Sequence, residues 1–109
     1  MKTKILIFGA GAIGRGFLAN KFSSKNYELS FVDKNKQLIK KLNNKKFFYS
    51  ALINKNKYNL KKIFLKKAFH ISEEIKINTY DVIFCCVGPN QCYEIASKFK
   101  NAKLVLSCE

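Results

Sequence analysis

Four of the five glycines in this 109-residue chain fall within eight positions, Gly9-Ala10-Gly11-Ala12-Ile13-Gly14-Arg15-Gly16. The run follows Lys4-Ile5-Leu6-Ile7-Phe8, which reads as a buried strand, and precedes Phe17 to Phe22, which reads as a helix. Glycine is used where a chain bends tightly or lets another group touch its backbone. Strand, Gly-x-Gly-x-x-Gly and helix together form a dinucleotide-binding fingerprint. In that fingerprint Gly9 makes the sharp turn out of the strand. Gly11, without a Cβ, lets a pyrophosphate lie against the backbone, and Gly14 lets the helix pack closely on the sheet. The helix N-terminus then offers free N–H groups and a partial positive charge to the phosphates. A glycine-rich packing turn is the plainer alternative, and the flanking strand and helix argue against it.

A second strand is expected at Tyr27-Glu28-Leu29-Ser30-Phe31-Val32, ending at Asp33. Asp33 stands 19 positions after Gly14, near the spacing of about 20 for an acid that binds the adenosine ribose. A carboxylate there accepts hydrogen bonds from ribose hydroxyls and repels a 2′-phosphate, which favours NAD over NADP. Lys34 and Lys36 follow and soften that preference. Standing alone, Asp33 would read as a helix cap.

Downstream, Asn35 to Leu42 reads as a helix with Leu38, Ile39 and Leu42 on one stripe, ended by Asn43-Asn44. Phe47 to Ile53 has strand character, Asn54 to Asn59 is a polar turn, and Lys62–Leu65 and Ala68–Ile71 read as two further short strands of a small insert, for which an antiparallel arrangement is left open. Ser72 to Glu74 suggests a short helix start. Tyr80 to Val87 holds a continuous apolar run after the charge of Asp81, and Gly88-Pro89 then turns the chain, as in a strand buried on both faces. A helix over Asn90–Lys100 and a last strand over Lys103–Ser107 complete the order. The expected fold is therefore α/β: a Rossmann-like, doubly wound, mostly parallel sheet with a small β insert, truncated after its fifth main strand, with helices on both sheet faces. The Val87-Gly88-Pro89 corner falls at the carboxyl end of the strand expected beside the first, where cofactors bind in such sheets.

Composition narrows the function. A hydrophobic content of 48% supplies a core for one domain. There is no signal-peptide pattern and no apolar run of membrane-spanning length, so a soluble, cytoplasmic protein is expected. The net charge of +14 raises a nucleic-acid reading. Against it, Arg15 is the only arginine among 21 basic residues, whereas groove readers favour arginine. The lysines are spread in pairs such as Lys40-Lys41 and Lys61-Lys62, and nucleic acid is not expected as the main partner. Arg15 sits beside the phosphate site and is read as a cofactor or substrate-phosphate contact. Cys85, Cys86, Cys92 and Cys108 match no zinc pattern. They read as reduced core cysteines, and no metal site is expected. His70, the single histidine, lies in the lysine-rich middle and reads as a surface or loop residue rather than a catalytic base.

Phe8-Gly-Ala-Gly-Ala-Ile-Gly-Arg-Gly-Phe17 resembles the opening of the mannitol-1-phosphate 5-dehydrogenase family, within the polyol-specific long-chain dehydrogenases. Phe31-Val32-Asp33, Val87-Gly88-Pro89-Asn90 and Cys108-Glu109 are similar to three later motifs of that family, in order along the chain. The resemblance implies an NAD-dependent oxidoreductase interconverting mannitol 1-phosphate and fructose 6-phosphate. It implies cofactor contacts from Phe8 through Arg15, at Asp33, and at Val87, Gly88 and Pro89. It also implies that the catalytic Lys, Asn and His belong to a helical C-terminal domain beyond these residues. The expectation is a cofactor-holding portion that does not transfer hydride alone and that self-associates through an exposed sheet edge. The alternatives are a free-standing nucleotide-binding regulatory module and a basic nucleic-acid-binding protein.

Overall fold

The computed structural model describes residues 2–11, 18–22, 24–54, 57–87 and 96–107, with the side chains of 51–54, 57–59 and 96 excepted. Five strands form one parallel sheet: β1 (Thr3–Phe8), β2 (Tyr27–Asp33), β5 (Lys67–His70), β6 (Val82–Cys85) and β7 (Val105–Ser107). Their spatial order is β5-β2-β1-β6-β7, so the first strand is central and the chain reverses direction across it. Parallel pairing joins Ile5 to Leu29 on one side and to Val82 on the other.

β1 shows why it takes the centre. Ile5, Leu6, Ile7 and Phe8 are each at most 1% exposed, the continuous apolar pattern of a strand covered on both faces. Alternation sends Ile5, Ile7, Leu29, Phe31 and Phe84 to one core, where Leu18, Ala19, Ile39, Leu42 and Ile63 meet them. Leu6, Phe8, Val32 and Ile83 face a second core closed by Ile77 and Tyr80. Phe99 locks onto that side, its ring edge-on to Phe8 at 5.0 Å. Tyr80 is 9% exposed and turns toward the hydroxyl of Ser30 on β2. Burial raises its phenol above the ordinary value of 10.0, the bond to Ser30 lowers it in part, and the Glu28 charge raises it further.

Both described α-helices, α1 (Ala19–Lys21) and α2 (Lys36–Lys45), contribute to the first core. The second face is covered by a 3-10 turn at Ile77–Thr79 and by the segment around Phe99, itself in a 3-10 turn over Ala96–Phe99. The expected helix over Asn90–Lys100 otherwise lies mostly outside the described residues, as does Phe17 of the expected first helix. Asn35 caps α2, its side chain accepting from Leu38 N–H at 3.2 Å. The helix does not end at Asn43-Asn44 as expected. It runs to Lys45 and stops where Lys46 takes a left-handed φ of 62° and donates its N–H to Leu42 O.

The insert also differs from expectation. β3 (Phe47–Asn54) and β4 (Lys57–Phe64) form an antiparallel two-stranded sheet, so the polar turn is shorter than Asn54–Asn59. The strand read at Ala68–Ile71 is not part of that insert: β5 pairs in parallel with β2, Phe31 opposite Ala68 and Asp33 opposite His70. Its free edge is occupied by a side chain. The Asn43 amide donates to Ala68 O at 2.7 Å and accepts from Ala68 N at 2.8 Å, which imitates a strand partner. No helix begins at Ser72, where the chain instead turns, with Glu73 N–H on His70 O at 2.9 Å. β6 is shorter than Tyr80–Val87: at its start Asp81 keeps its N–H on Lys4 O at 2.8 Å, but Lys4 N–H goes to the Asp81 carboxylate, also at 2.8 Å, and not to a strand carbonyl. Phe48 of β3 stands edge-on to Phe31 at 5.7 Å and ties the hairpin to the sheet. No helix among the described residues is long and apolar enough to cross a membrane.

Candidate functional site

The carboxyl ends of β1, β2, β5 and β6 meet at one rim of the sheet, and Phe8, Gly9, Ala10, Gly11, Asp33 and Val87, the described residues among those singled out by sequence, lie along it. Phe8 leads into it but belongs to the core, with its ring on Phe99. Gly9 then turns at φ 101°, a region L side chains rarely adopt. A Cβ on Gly9 would stand 2.9 Å from Cys86 O and 3.2 Å from Val87 Cγ1. The turn after β1 and the corner after β6 are thus pressed together, and only a bare α-carbon fits between them. Gly9 N–H donates to Val32 O at 2.7 Å and Cys86 N–H donates to Phe8 O at 2.8 Å, so all three strand ends are laced to one another.

Gly11 is in the opposite situation. Among the described residues, a Cβ there would meet nothing within 4 Å. No described residue packs against this glycine, and a backbone bare of Cβ is what a phosphate group needs in order to approach. Between the two, Ala10 is fully buried, and its N–H donates to Asp33 Oδ2 at 2.8 Å. Asp33 Oδ1 accepts from Asn35 N–H at 2.9 Å. The carboxylate is not the helix cap, a role Asn35 takes. It links the glycine turn to the start of α2 and keeps lone pairs toward the rim.

Ala12, Ile13, Gly14, Arg15, Gly88 and Pro89 lie outside the described residues, as do Cys92 and Cys108. Val87 is described and half-buried at the Gly9 contact. Cys85 is buried at the end of β6 and Cys86 is half-buried beside Gly9.

One residue of the rim was expected at the surface or in a loop and is found at a strand end instead. His70 ends β5 directly opposite Asp33, although 37 positions part them in the chain. Its Nε2 lies 3.1 Å from Lys34 O, and Ile71 N–H donates to Asp33 O at 3.0 Å. The signal that locates it is the parallel pairing of β5 with β2, a long-range fact that local pattern does not carry.

A parallel sheet of this order, a left-handed glycine turn after the central strand and an acid at the end of the next define a Rossmann-type nucleotide-binding unit. The chain belongs to the mannitol dehydrogenase Rossmann-domain family, whose profile matches residues 3–106. It is 35% identical over 102 residues to a mannitol-1-phosphate 5-dehydrogenase of Thermoanaerobacter pseudethanolicus, covering 90% of this chain and 26% of the relative. It is 34% identical over 107 residues to the enzyme of the same description from Mycoplasmopsis pulmonis, covering 94% of this chain and 29% of the relative. A Talaromyces marneffei relative of that description is 37% identical over 95 residues, covering 83% and 24%. The chain spans about a quarter of the length of the curated relatives it matches.

Proposed function

We propose that this chain is the NAD-holding portion of an oxidoreductase acting on mannitol 1-phosphate and fructose 6-phosphate. The observation that carries this reading is the Asp33 carboxylate at the end of β2, bonded to Ala10 N–H beside the open backbone of Gly11. The residues present fit a dinucleotide. Gly9 and Gly11, continued by Gly14 and Arg15, would receive the pyrophosphate, and Asp33 would receive the adenosine ribose. Val87, with Gly88 and Pro89 that follow it in sequence, would border the nicotinamide half, since Val87 packs against Gly9 across the switch point. Phe8, Ala10, Ala12 and Ile13 would hold the turn in shape. A carboxylate at this position disfavours a 2′-phosphate, which selects NAD over NADP.

Bound there, the nicotinamide supplies hydride transfer to or from the sugar carbon. The chain's own share is to place and orient the cofactor, while the base that handles the hydroxyl proton belongs to the part of the relatives outside this chain. These 109 residues then bind NADH without turning over mannitol 1-phosphate. The exposed β7 edge would also pair copies of the chain.

Titration of NADH fluorescence tests the reading. Binding is expected with the 109-residue chain, and Asp33→Ala should weaken it by about tenfold or more, the effect of losing charged hydrogen bonds. No binding by the unaltered chain, or equal binding by Asp33→Ala, would sink the proposal. Measured dehydrogenase turnover would refute the division of labour.

A further inference from the structure

We infer that His70 is a positioning residue for the adenosine end of the site: it fixes the peptide that follows Asp33 and so sets the preference for a free 2′-hydroxyl over a 2′-phosphate. This rests on the dinucleotide reading above.

The bonding of the imidazole defines its state. Nε2 lies 3.1 Å from Lys34 O, which only accepts, so Nε2 carries the proton. Nδ1 is then the acceptor. It takes the Ser72 N–H at 3.2 Å and the Ser72 hydroxyl at 2.6 Å. The backbone behind the ring is held too, with His70 N–H on Glu73 Oε2 at 2.6 Å and Glu73 N–H on His70 O at 2.9 Å. Every polar atom of His70 is thereby committed, and the turn from His70 to Glu73 is closed on itself.

That closed turn grips two successive peptides of the rim. Ile71 N–H holds Asp33 O, and the imidazole holds Lys34 O. The grip matters because the Asp33 carboxylate reaches Asn35 N–H only while the chain from 33 to 35 stays folded back on itself. The same carboxylate reaches across to Ala10 N–H through its other oxygen. His70 therefore acts through the Lys34 peptide on the direction of the Asp33 side chain. Lys34 and Lys36 stand next to this turn, and their cations would welcome a 2′-phosphate once the carboxylate no longer commanded the spot. Holding the turn closed keeps the acid, and not the lysines, in front of the ribose.

The test compares the unaltered 109-residue chain with His70→Ala and His70→Gln, titrating NADH and NADPH separately. Amide resonances of Ala10 and Asn35 are followed in a 1H–15N spectrum. Loss of the donor in His70→Ala should weaken NADH about fivefold, the size of one ordinary hydrogen bond, and change NADPH less, so that the preference narrows. Both amide resonances should move. Gln places an N–H donor at nearly the reach of Nε2 and should restore the preference and both resonances. An unchanged NADH-to-NADPH ratio in a folded His70→Ala chain overturns the assignment. So does an equal loss for both dinucleotides with the Ala10 and Asn35 resonances unmoved, which is the mark of stability alone. Failure of the unaltered chain to bind either dinucleotide overturns the cofactor reading itself, and is seen before any variant is made.

Discussion

Gly9 and Gly11 are two positions apart and do different work, and substitution should separate them. Gly9→Ala meets both a φ of 101° and a backbone oxygen at 2.9 Å. Strain alone should cost about 1–3 kcal/mol, read as a lower urea midpoint, with the contact adding to it. Gly11→Ala meets none of the described residues and should leave stability within about 0.5 kcal/mol, as for substitutions away from packed features. Its effect should appear in weaker NADH binding. Tyr80 gives a pH prediction. Its phenol is raised in the fold chiefly by burial, so the unfolded chain loses the proton first. Stability is complete below the ordinary value of 10.0 and declines as pH rises from there toward the higher folded value. Tyr80→Phe should remove that alkaline loss when urea midpoints at pH 8 and pH 11 are compared. At this scale the sequence was legible where a residue's duty is local. The glycine turn and Asp33 announce themselves because a turn and its ribose acid keep fixed spacing. His70 does not, because its partner Lys34 is brought to it only by strand pairing.

The elements were read well where hydrophobic pattern decides and less well where a side chain intervenes. β1 and β6 are apolar runs that nothing but a buried sheet would absorb, and β2 alternates as a strand does. α2 outran its asparagines because Asn43 is not a stop signal here. It projects to β5 and bonds both backbone groups of Ala68. The same bonds explain why β5 escaped correct placement. Lys66-Lys67-Ala68-Phe69-His70 has the mixed pattern of an insert strand, yet it ends the parallel sheet with a side chain as its outer neighbour. That arrangement closes an edge otherwise open to other chains. Asn43→Ala would leave a part-buried N–H and C=O without partners, a cost of about 1–3 kcal/mol for each group left so. Thermal unfolding should register the loss, and hydrogen exchange at the Ala68 amide should quicken.

Across the whole molecule the two sides of the sheet are finished to different standards. Near β5 the edge is stoppered, whereas at β7 Leu104, Val105 and Leu106 are 48%, 37% and 42% exposed. Parallel strands are normally covered on both faces, so this end invites another surface. The net charge of +14 opposes like-with-like contact, and screening by salt should relieve that repulsion. Sedimentation should therefore show association of the chain that grows with ionic strength. Leu104→Lys with Leu106→Lys should abolish it, and a monomer at every salt concentration would count against the β7 contact.

The central strand is made before the strands that flank it. Lys4 and the Asp81 carboxylate that caps its amide are 77 positions apart, and β6 pairs with β1 only after that stretch has been synthesised. At about 5–20 residues per second on the ribosome, β1 waits roughly 4–15 s with one flank bare. During that interval the nascent chain holds β2 and β5 on one side of its most apolar segment and nothing on the other. The emerging polypeptide is then at its most dependent on whatever cellular factor shields Ile5 to Phe8 until Val82 arrives.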